Sequence, residues 1–116
     1  MTNDRTMSVD FTVAIPTYNG ASRLPKLFEK LRQQTGLDQI YWEIIVIDNN
    51  SSDNTAQVVQ EYQGNWLPGV PLTYILEPEQ GAAFARLRAV QEAQGELIGF
   101  LDDDNLPNPD WIAQAY

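Results

Sequence analysis

The 116-residue chain sets 7 Lys and Arg against 16 Asp and Glu, a formal net charge of −9, with 43% hydrophobic residues. This is enough apolar content for one globular domain with a real core, and far too acidic a balance for a surface that neutralises nucleic-acid phosphates. The sequence contains no Cys and no His, which excludes a disulfide framework, thiolate or imidazole metal ligation and His-based catalysis, so carboxylates must carry any acid–base or metal chemistry.

Residues 1–10 read as an N-terminal tail and 11–116 as the folded portion. A short strand is predicted over 11–15, broken by Pro16-Thr17-Tyr18-Asn19-Gly20 into a turn. Leu24, Leu27, Phe28 and Leu31 then fall at i, i+3, i+4 and i+7 of a helix. Ser22 would cap it, Pro25 lies within its tolerant first turn and Gly36 marks its end. A second strand over 42–47 contains Ile44-Ile45-Val46-Ile47, the unbroken β-branched run that a sheet covered on both faces requires. The polar stretch Asp48-Asn49-Asn50-Ser51-Ser52-Asp53-Asn54-Thr55 follows, and Ser52 or Asp53 would cap a helix running to about residue 62 through Val58 and Val59. Most of its Asn and Ser residues build the turn, whereas Asp48 and Asn49, nearest the strand, are binding candidates.

A loop over 64–71 leads to a third strand over 72–76. Glu77-Pro78-Glu79-Gln80-Gly81 then opens a helix over 82–93, with Ala83, Leu87 and Val90 inward and Gly95 as its stop. Arg86 lies near the amino end of that helix, where the dipole prefers anions, so the helix itself does not stabilise it. An anionic ligand or plain solvent explains Arg86, and solvent is the stronger reading for Arg88. The last strand, Leu97-Ile98-Gly99-Phe100-Leu101, ends in Asp102-Asp103-Asp104-Asn105 before the turn cluster Leu106-Pro107-Asn108-Pro109.

Side chains alternate along an extended chain, so Asp102 and Asp104 would share one side. Three crowded carboxylates repel one another unless a cation or hydrogen-bond donors sit among them. A magnesium-like ion takes one or two protein carboxylates and completes its shell with water and phosphate oxygens, which suits Asp-x-Asp at a strand end. The plainer alternative is a solvated acidic loop. The sequence argues against an EF-hand, because Leu106 and Pro107 stand where that loop needs an acid or Asn and a Gly.

Strict alternation of strand and helix implies right-handed crossovers and a mostly parallel, Rossmann-like α/β sheet with flanking helices. All the informative residues fall beyond strand carboxyl ends, where such sheets bind ligands. Neither Gly-x-Gly-x-x-Gly after the first strand nor a P-loop is present. No apolar run approaches the ~20 residues of a membrane span and no leader pattern opens the chain, so a cytoplasmic protein is expected.

The motifs Val13-Ala14-Ile15-Pro16-Thr17-Tyr18-Asn19, then Ile44 through Thr55, then Gly81 to Arg86 before Phe100-Leu101-Asp102-Asp103-Asp104 resemble, in order and spacing, the family 2 glycosyltransferases with the GT-A fold. The resemblance covers nearly all of residues 11–111. It implies a nucleotide-sugar donor, a divalent manganese or magnesium ion, and inverting transfer to a hydroxyl of a glycan or lipid-linked acceptor, as in polysaccharide biosynthesis. At matching positions, Pro16 and Tyr18 would line the nucleobase pocket, with Asp48 and Asn49 beside base and ribose and Arg86 near the diphosphate. Asp102 and Asp103 would lie near ribose and metal, and Asp104 would be the principal metal ligand with Asp102 beside it. Many members carry two acids where this chain has Asp48-Asn49. Asn49 can accept through its amide oxygen but also donates, so UDP is the first expectation and dTDP or GDP stay open.

The family's general base follows the metal motif by many residues, and nothing through Tyr116 matches it. The resemblance therefore implies the truncated, nucleotide-binding half of a GT-A domain, inactive in transfer by itself. Such a piece would self-associate through uncovered surface, and the longer enzyme would lie peripheral to the inner face of the plasma membrane. Two other classes stay in view. A receiver-type magnesium-binding regulatory domain has similar length and alternation but needs an acid pair where Pro16-Thr17 stand and an acceptor Asp where Glu77-Pro78 stand. A noncatalytic nucleotide-sugar binding module would use the same residues as the enzyme.

Overall fold

The structure, a computed structural model, describes residues 8–116. Strands and helices alternate as β1 (Val9–Thr17), α1 (Leu24–Arg32), β2 (Trp42–Asp48), α2 (Thr55–Gln63), β3 (Leu72–Leu76), α3 (Ala82–Glu92), β4 (Gly95–Phe100) and α4 (Trp111–Ala115). The strands form one sheet in the order β3-β2-β1-β4, parallel at every pairing. The chain steps from β1 out to β2 and β3, then crosses back to lay β4 on the other flank of β1. Strand order thus reverses between β1 and β4, and the crevice beyond their carboxyl ends is where open α/β sheets bind ligands.

Both faces of the sheet are covered, as the continuous run in β2 requires, and both are apolar apart from the buried Thr12–Glu43 hydrogen bond. On one face Phe11, Val13 and Ile15 of β1 and Trp42, Ile44 and Val46 of β2 meet Leu24, Leu27, Phe28 and Leu31 of α1, Val58 and Val59 of α2, and Ile112 of α4. The four α1 residues are fully buried, and truncating one of those leucines to Ala would cost about 2–5 kcal/mol. The alternate residues Ala14, Ile45 and Ile47 point the other way, onto Ala85 and Ala89 of α3.

The inward stripe expected on α3 is reversed. Leu87 and Val90 are each 56% exposed and Ala83 is exposed, whereas Ala85 and Ala89 are buried. The sheet surface under α3 is already filled by isoleucine side chains, so only alanines let the helix backbone approach. The larger residues are left on the outside, joined there by Phe84.

The first strand is also longer than its pattern. Of the tail expected over 1–10, residues 1–7 lie outside the described residues, and Val9 and Asp10 already belong to β1. At the other end β1 runs through Pro16 to Thr17. Ala14 O accepts Leu101 N on the β4 side and Thr17 O accepts Asn49 N on the β2 side. Alternation therefore turns Pro16 toward the β4 side, beyond the last β1–β4 pair at Ala14 and Phe100. The N–H that proline lacks would be the next donor to β4, so Pro16 ends the β1–β4 ladder instead of interrupting it.

Cap positions differ as well. Arg23 rather than Ser22 stands at the N-cap of α1, with no side-chain cap, and Asn54 precedes α2. Asp53 still contributes, since its Oδ1 accepts Thr55 N at 3.0 Å. Gly95 opens β4 instead of merely closing α3, because a Cβ there would lie 2.6 Å from Thr12 N on the neighbouring strand.

Candidate functional site

The loops that follow the four strands at the carboxyl edge of the sheet build the crevice. The loop after β1 is locked to the loop after β2 by Asn19, whose Oδ1 accepts Ser52 N at 2.8 Å while its own N–H donates to Ser51 Oγ at 2.8 Å. Gly20 N donates to Thr55 Oγ1 at 3.0 Å, and Ala21 N to Asp53 Oδ2 at 3.2 Å. The polar residues after β2 thus hold loop to loop, beyond the local turn their composition indicates.

Beyond β1 and β4 lies a cavity of about 390 Å³ lined by Pro16, Thr17, Tyr18, Arg23, Asn49, Ala82, Ala85 and the acids Asp102, Asp103 and Asp104. A second hollow of about 310 Å³ shares Tyr18 and Asn49 and adds Gln80 and Gly81. Tyr18 is 49% exposed, leaving a ring surface free at the junction of the two. Six of the eight residues singled out from the sequence therefore face one space, and Asp48 and Arg86 do not.

Asp48 is 3% exposed. Its Oδ1 accepts Ser51 N at 3.0 Å and the Ser51 hydroxyl, and its Oδ2 accepts the Tyr74 hydroxyl at 2.6 Å. Burial, followed by this bond and the Asp48 charge, pushes the Tyr74 phenol well above its ordinary pKa. Arg86 is exposed and stacks its guanidinium 4.8 Å from the Phe100 ring centroid. Arg88 pairs with Glu77 at 3.2 Å and Glu92 at 3.4 Å.

Asn49 works as a clip. Its Nδ2 donates to Glu79 O at 2.7 Å and Glu77 O at 3.3 Å, while its Oδ1 accepts Gly81 N at 2.8 Å. Both donor hydrogens are committed to the loop over 77–81, which forms one wall of the second hollow.

The three aspartates are not equivalent. β4 ends at Phe100, so strict alternation does not reach them. Asp103 faces the β1 loop: it accepts the Thr17 hydroxyl at 2.6 Å and a two-pronged contact from Arg23, Nε to Oδ1 at 2.9 Å and Nη2 to Oδ2 at 3.0 Å. That hydrogen bond and the Asp103 charge raise the Arg23 pKa further, partly offset by desolvation, with Asp104 adding to the rise. Gly20 makes the arrangement sterically feasible, since a Cβ there would lie 2.0 Å from Thr17 Oγ1 and 2.8 Å from Asp103 Oδ2. Asp102 and Asp104 are exposed, and no described residue donates a hydrogen bond to either side chain.

Thr17, Gly20 and Arg23 were not singled out by sequence reasoning. Gly20 carried a signal in the turn cluster, but Arg23 meets a partner 80 residues away, and nothing local announces that. Among the described residues no group of three or more His, Cys, Asp or Glu side chains is disposed to hold a metal ion. The exposed carboxylates of Asp102 and Asp104 still fit an ion that takes one or two protein ligands and the remainder from water and phosphate. Among the described residues no helix is long and apolar enough to cross a membrane.

The family model for glycosyl transferase family 2 matches residues 12–116. Glycosyltransferase AglE of Haloferax volcanii is 30% identical over 105 residues, covering 90% of this chain and 33% of AglE. The structure of Staphylococcus aureus TarS 1–349 in complex with UDP-GlcNAc superposes with a TM-score of 0.79 at 28% identity, over 92% of this chain and 30% of that one. The mannosyltransferase PcManGT of Pyrobaculum calidifontis, in complex with GDP-Man and Mn2+, gives 0.75 at 30% identity, over 86% and 29%. The chain thus spans about a third of the relatives it matches. The parallel sheet with its flanking helices is a portion of the GT-A fold of these structures, and the chain belongs to glycosyl transferase family 2.

Proposed function

We propose that residues 11–116 are the donor-binding portion of a glycosyltransferase that transfers a sugar from a nucleoside diphosphate to an acceptor hydroxyl with inversion. The observation that carries this reading is the meeting, at the β1–β4 reversal, of an exposed tyrosine ring with two exposed carboxylates to which no described residue donates a hydrogen bond. Tyr18, with Pro16 behind it, offers the base a stacking face, and the loop clipped by Asn49 walls the space beside it. Asp104 and Asp102 would hold a manganese or magnesium ion as an Asp-x-Asp pair, and such an ion, when bound, neutralises charge on the departing diphosphate. Arg86 would have to leave Phe100 to reach the diphosphate, and Asp48 acts through the turn it holds. UDP is the favoured nucleotide, supported by the UDP-GlcNAc bound to TarS, while GDP-Man in PcManGT keeps GDP in play.

The general base would come from the remainder of a longer enzyme. A glycan or lipid-linked acceptor, a role in polysaccharide assembly, and a cytoplasmic place at the inner membrane face complete the reading. The exposed row Phe84, Leu87 and Val90 on α3 is consistent with cover by that remainder or by a second copy, which sedimentation of the chain would reveal. Titration calorimetry with UDP, with and without Mn2+, tests the donor site. Metal-dependent binding that disappears in Asp104→Ala supports it, whereas a folded chain that binds none of UDP, dTDP and GDP with Mn2+ present overturns it.

A further inference from the structure

We infer that Arg23 is a positioning residue that withholds Asp103 from the divalent ion, so that metal and donor diphosphate must bind together. The inference rests on the donor-site reading and adds to it an order of assembly. Three free aspartates at a strand end would form a strongly anionic oxygen site, and the affinity of such sites for divalent ions rises with ligand charge. The fold divides them instead. Both oxygens of Asp103, whose side chain is 13% exposed, are engaged by the Arg23 fork, and one also accepts the Thr17 hydroxyl. Two-pronged guanidinium–carboxylate contact is the strongest geometry this pair of groups has, and lysine cannot reproduce it.

Arg23 is itself held in place. Its Nη2 also donates to Tyr18 O at 3.1 Å, and its backbone N–H donates to Gly20 O at 3.0 Å at the entry to α1. The contact therefore joins the loop after β1 to the loop after β4, across the crevice floor. A bare ion meets two carboxylates and a nearby guanidinium. An ion arriving with a diphosphate brings the missing oxygens with it. Binding of the two is then cooperative, and the coupling is reciprocal by linkage.

The test is a double-mutant cycle on Mn2+ affinity without nucleotide, read by electron paramagnetic resonance of the free ion. It compares the unmodified chain, Arg23→Gln, Asp103→Asn and the double variant. Charge effects at fixed geometry act equally on both sides of the cycle and cancel, leaving the release of Asp103. Asp103→Asn is expected to weaken Mn2+ binding on the order of tenfold more in the Arg23→Gln background than with Arg23 in place, a coupling in the range contacting residues show. Additive effects overturn the inference. Arg23→Lys keeps the charge and loses the fork, so a parallel cycle with it gives coupling of the same sign and decides the matter if the Gln variant does not melt cooperatively. A separate arm adds UDP to the unmodified chain. UDP that fails to raise Mn2+ affinity overturns the donor-site reading, while an additive cycle with that rise intact overturns the role of Arg23 alone.

Discussion

Asn49→Asp exchanges one nitrogen for oxygen at a position 8% exposed, and its cost follows from the clip. The bond from Gly81 N to Oδ1 survives and gains charge assistance, worth about 1 kcal/mol. Two donated bonds, to Glu79 O at 2.7 Å and Glu77 O at 3.3 Å, are lost at about 1 kcal/mol each. A carboxylate oxygen then faces two buried carbonyl oxygens, an unsatisfied contact worth about 1–2 kcal/mol. The net expectation is a loss of about 2–3 kcal/mol at pH 7. Protonation restores a donor toward Glu79 O, so the folded state favours the acid form and the folded pKa lies above the unfolded value of about 3.9. An acid whose folded pKa is raised destabilises above that pKa and recovers below it, so the deficit narrows as pH falls from neutrality. Paired urea unfolding of the two proteins at pH 7 and at mildly acid pH, followed by circular dichroism, measures the difference. A deficit within about 0.5 kcal/mol at pH 7, the range of an ordinary surface change, or one that widens in acid, refutes the clip.

Gly20→Ala drives a methyl group onto Thr17 Oγ1; a loss of about 1–3 kcal/mol is expected from overpacking, with weakened Mn2+-dependent UDP binding by calorimetry, and unchanged binding would show that the Thr17–Asp103 contact is dispensable. On α3, Ala89→Leu should cost about 1–3 kcal/mol while Leu87→Ala stays within about 0.5 kcal/mol, and chemical denaturation giving the opposite ranking would mean the helix is turned the other way. Tyr74→Phe removes the hydroxyl from Asp48 at a cost of about 1 kcal/mol near neutrality. Because the folded phenol has a raised pKa, its contribution is intact below the unfolded value of about 10 and is lost as pH climbs past it. The variant should therefore lose less stability than the unmodified chain between pH 9 and 11, as thermal melts would show.

Much of this architecture is written in local pattern. Ile44 through Ile47 announced a strand buried on both faces, and the Leu24, Leu27, Phe28, Leu31 stripe located α1 and its inward face, because burial along one element repeats with that element's own period. The acids after β4 and Asn49 after β2 line one crevice at the carboxyl edge of the sheet, because parallel strands bring the loops that follow them to the same edge. Other features are decided between elements. On α3 the stripe of large residues and the stripe of alanines have the same period, and the choice between them depends on the bulk of Ile45 and Ile47 beneath. Pro16 ends a strand in isolation but continues β1, because its pairing with Ile47 of β2 uses no N–H of its own. Asn49 carries a side chain suited to reading a base, yet a loop 28 to 32 residues downstream occupies its amide. Asp103 is indistinguishable from its neighbours until Arg23 is brought to it.

The placement of β1 between β2 and β4 also sets a timetable. Pairing β1 with β2 closes a separation of 31 residues, as between Thr12 and Glu43, whereas joining the β1 edge to the β4 edge closes 86, as between Thr17 and Asp103. Loop-closure entropy makes the longer step costlier by about 0.9 kcal/mol, and non-local pairings are the slow ones in folding. Refolding should therefore build β1, β2 and β3 with their helices first and dock β4 last, an order that pulsed hydrogen exchange would read as late protection of residues 95–101. Until that step a chain holds most of its core but neither the crevice nor the contact of Arg23 with Asp103, so competence to bind would lag behind the recovery of helical signal.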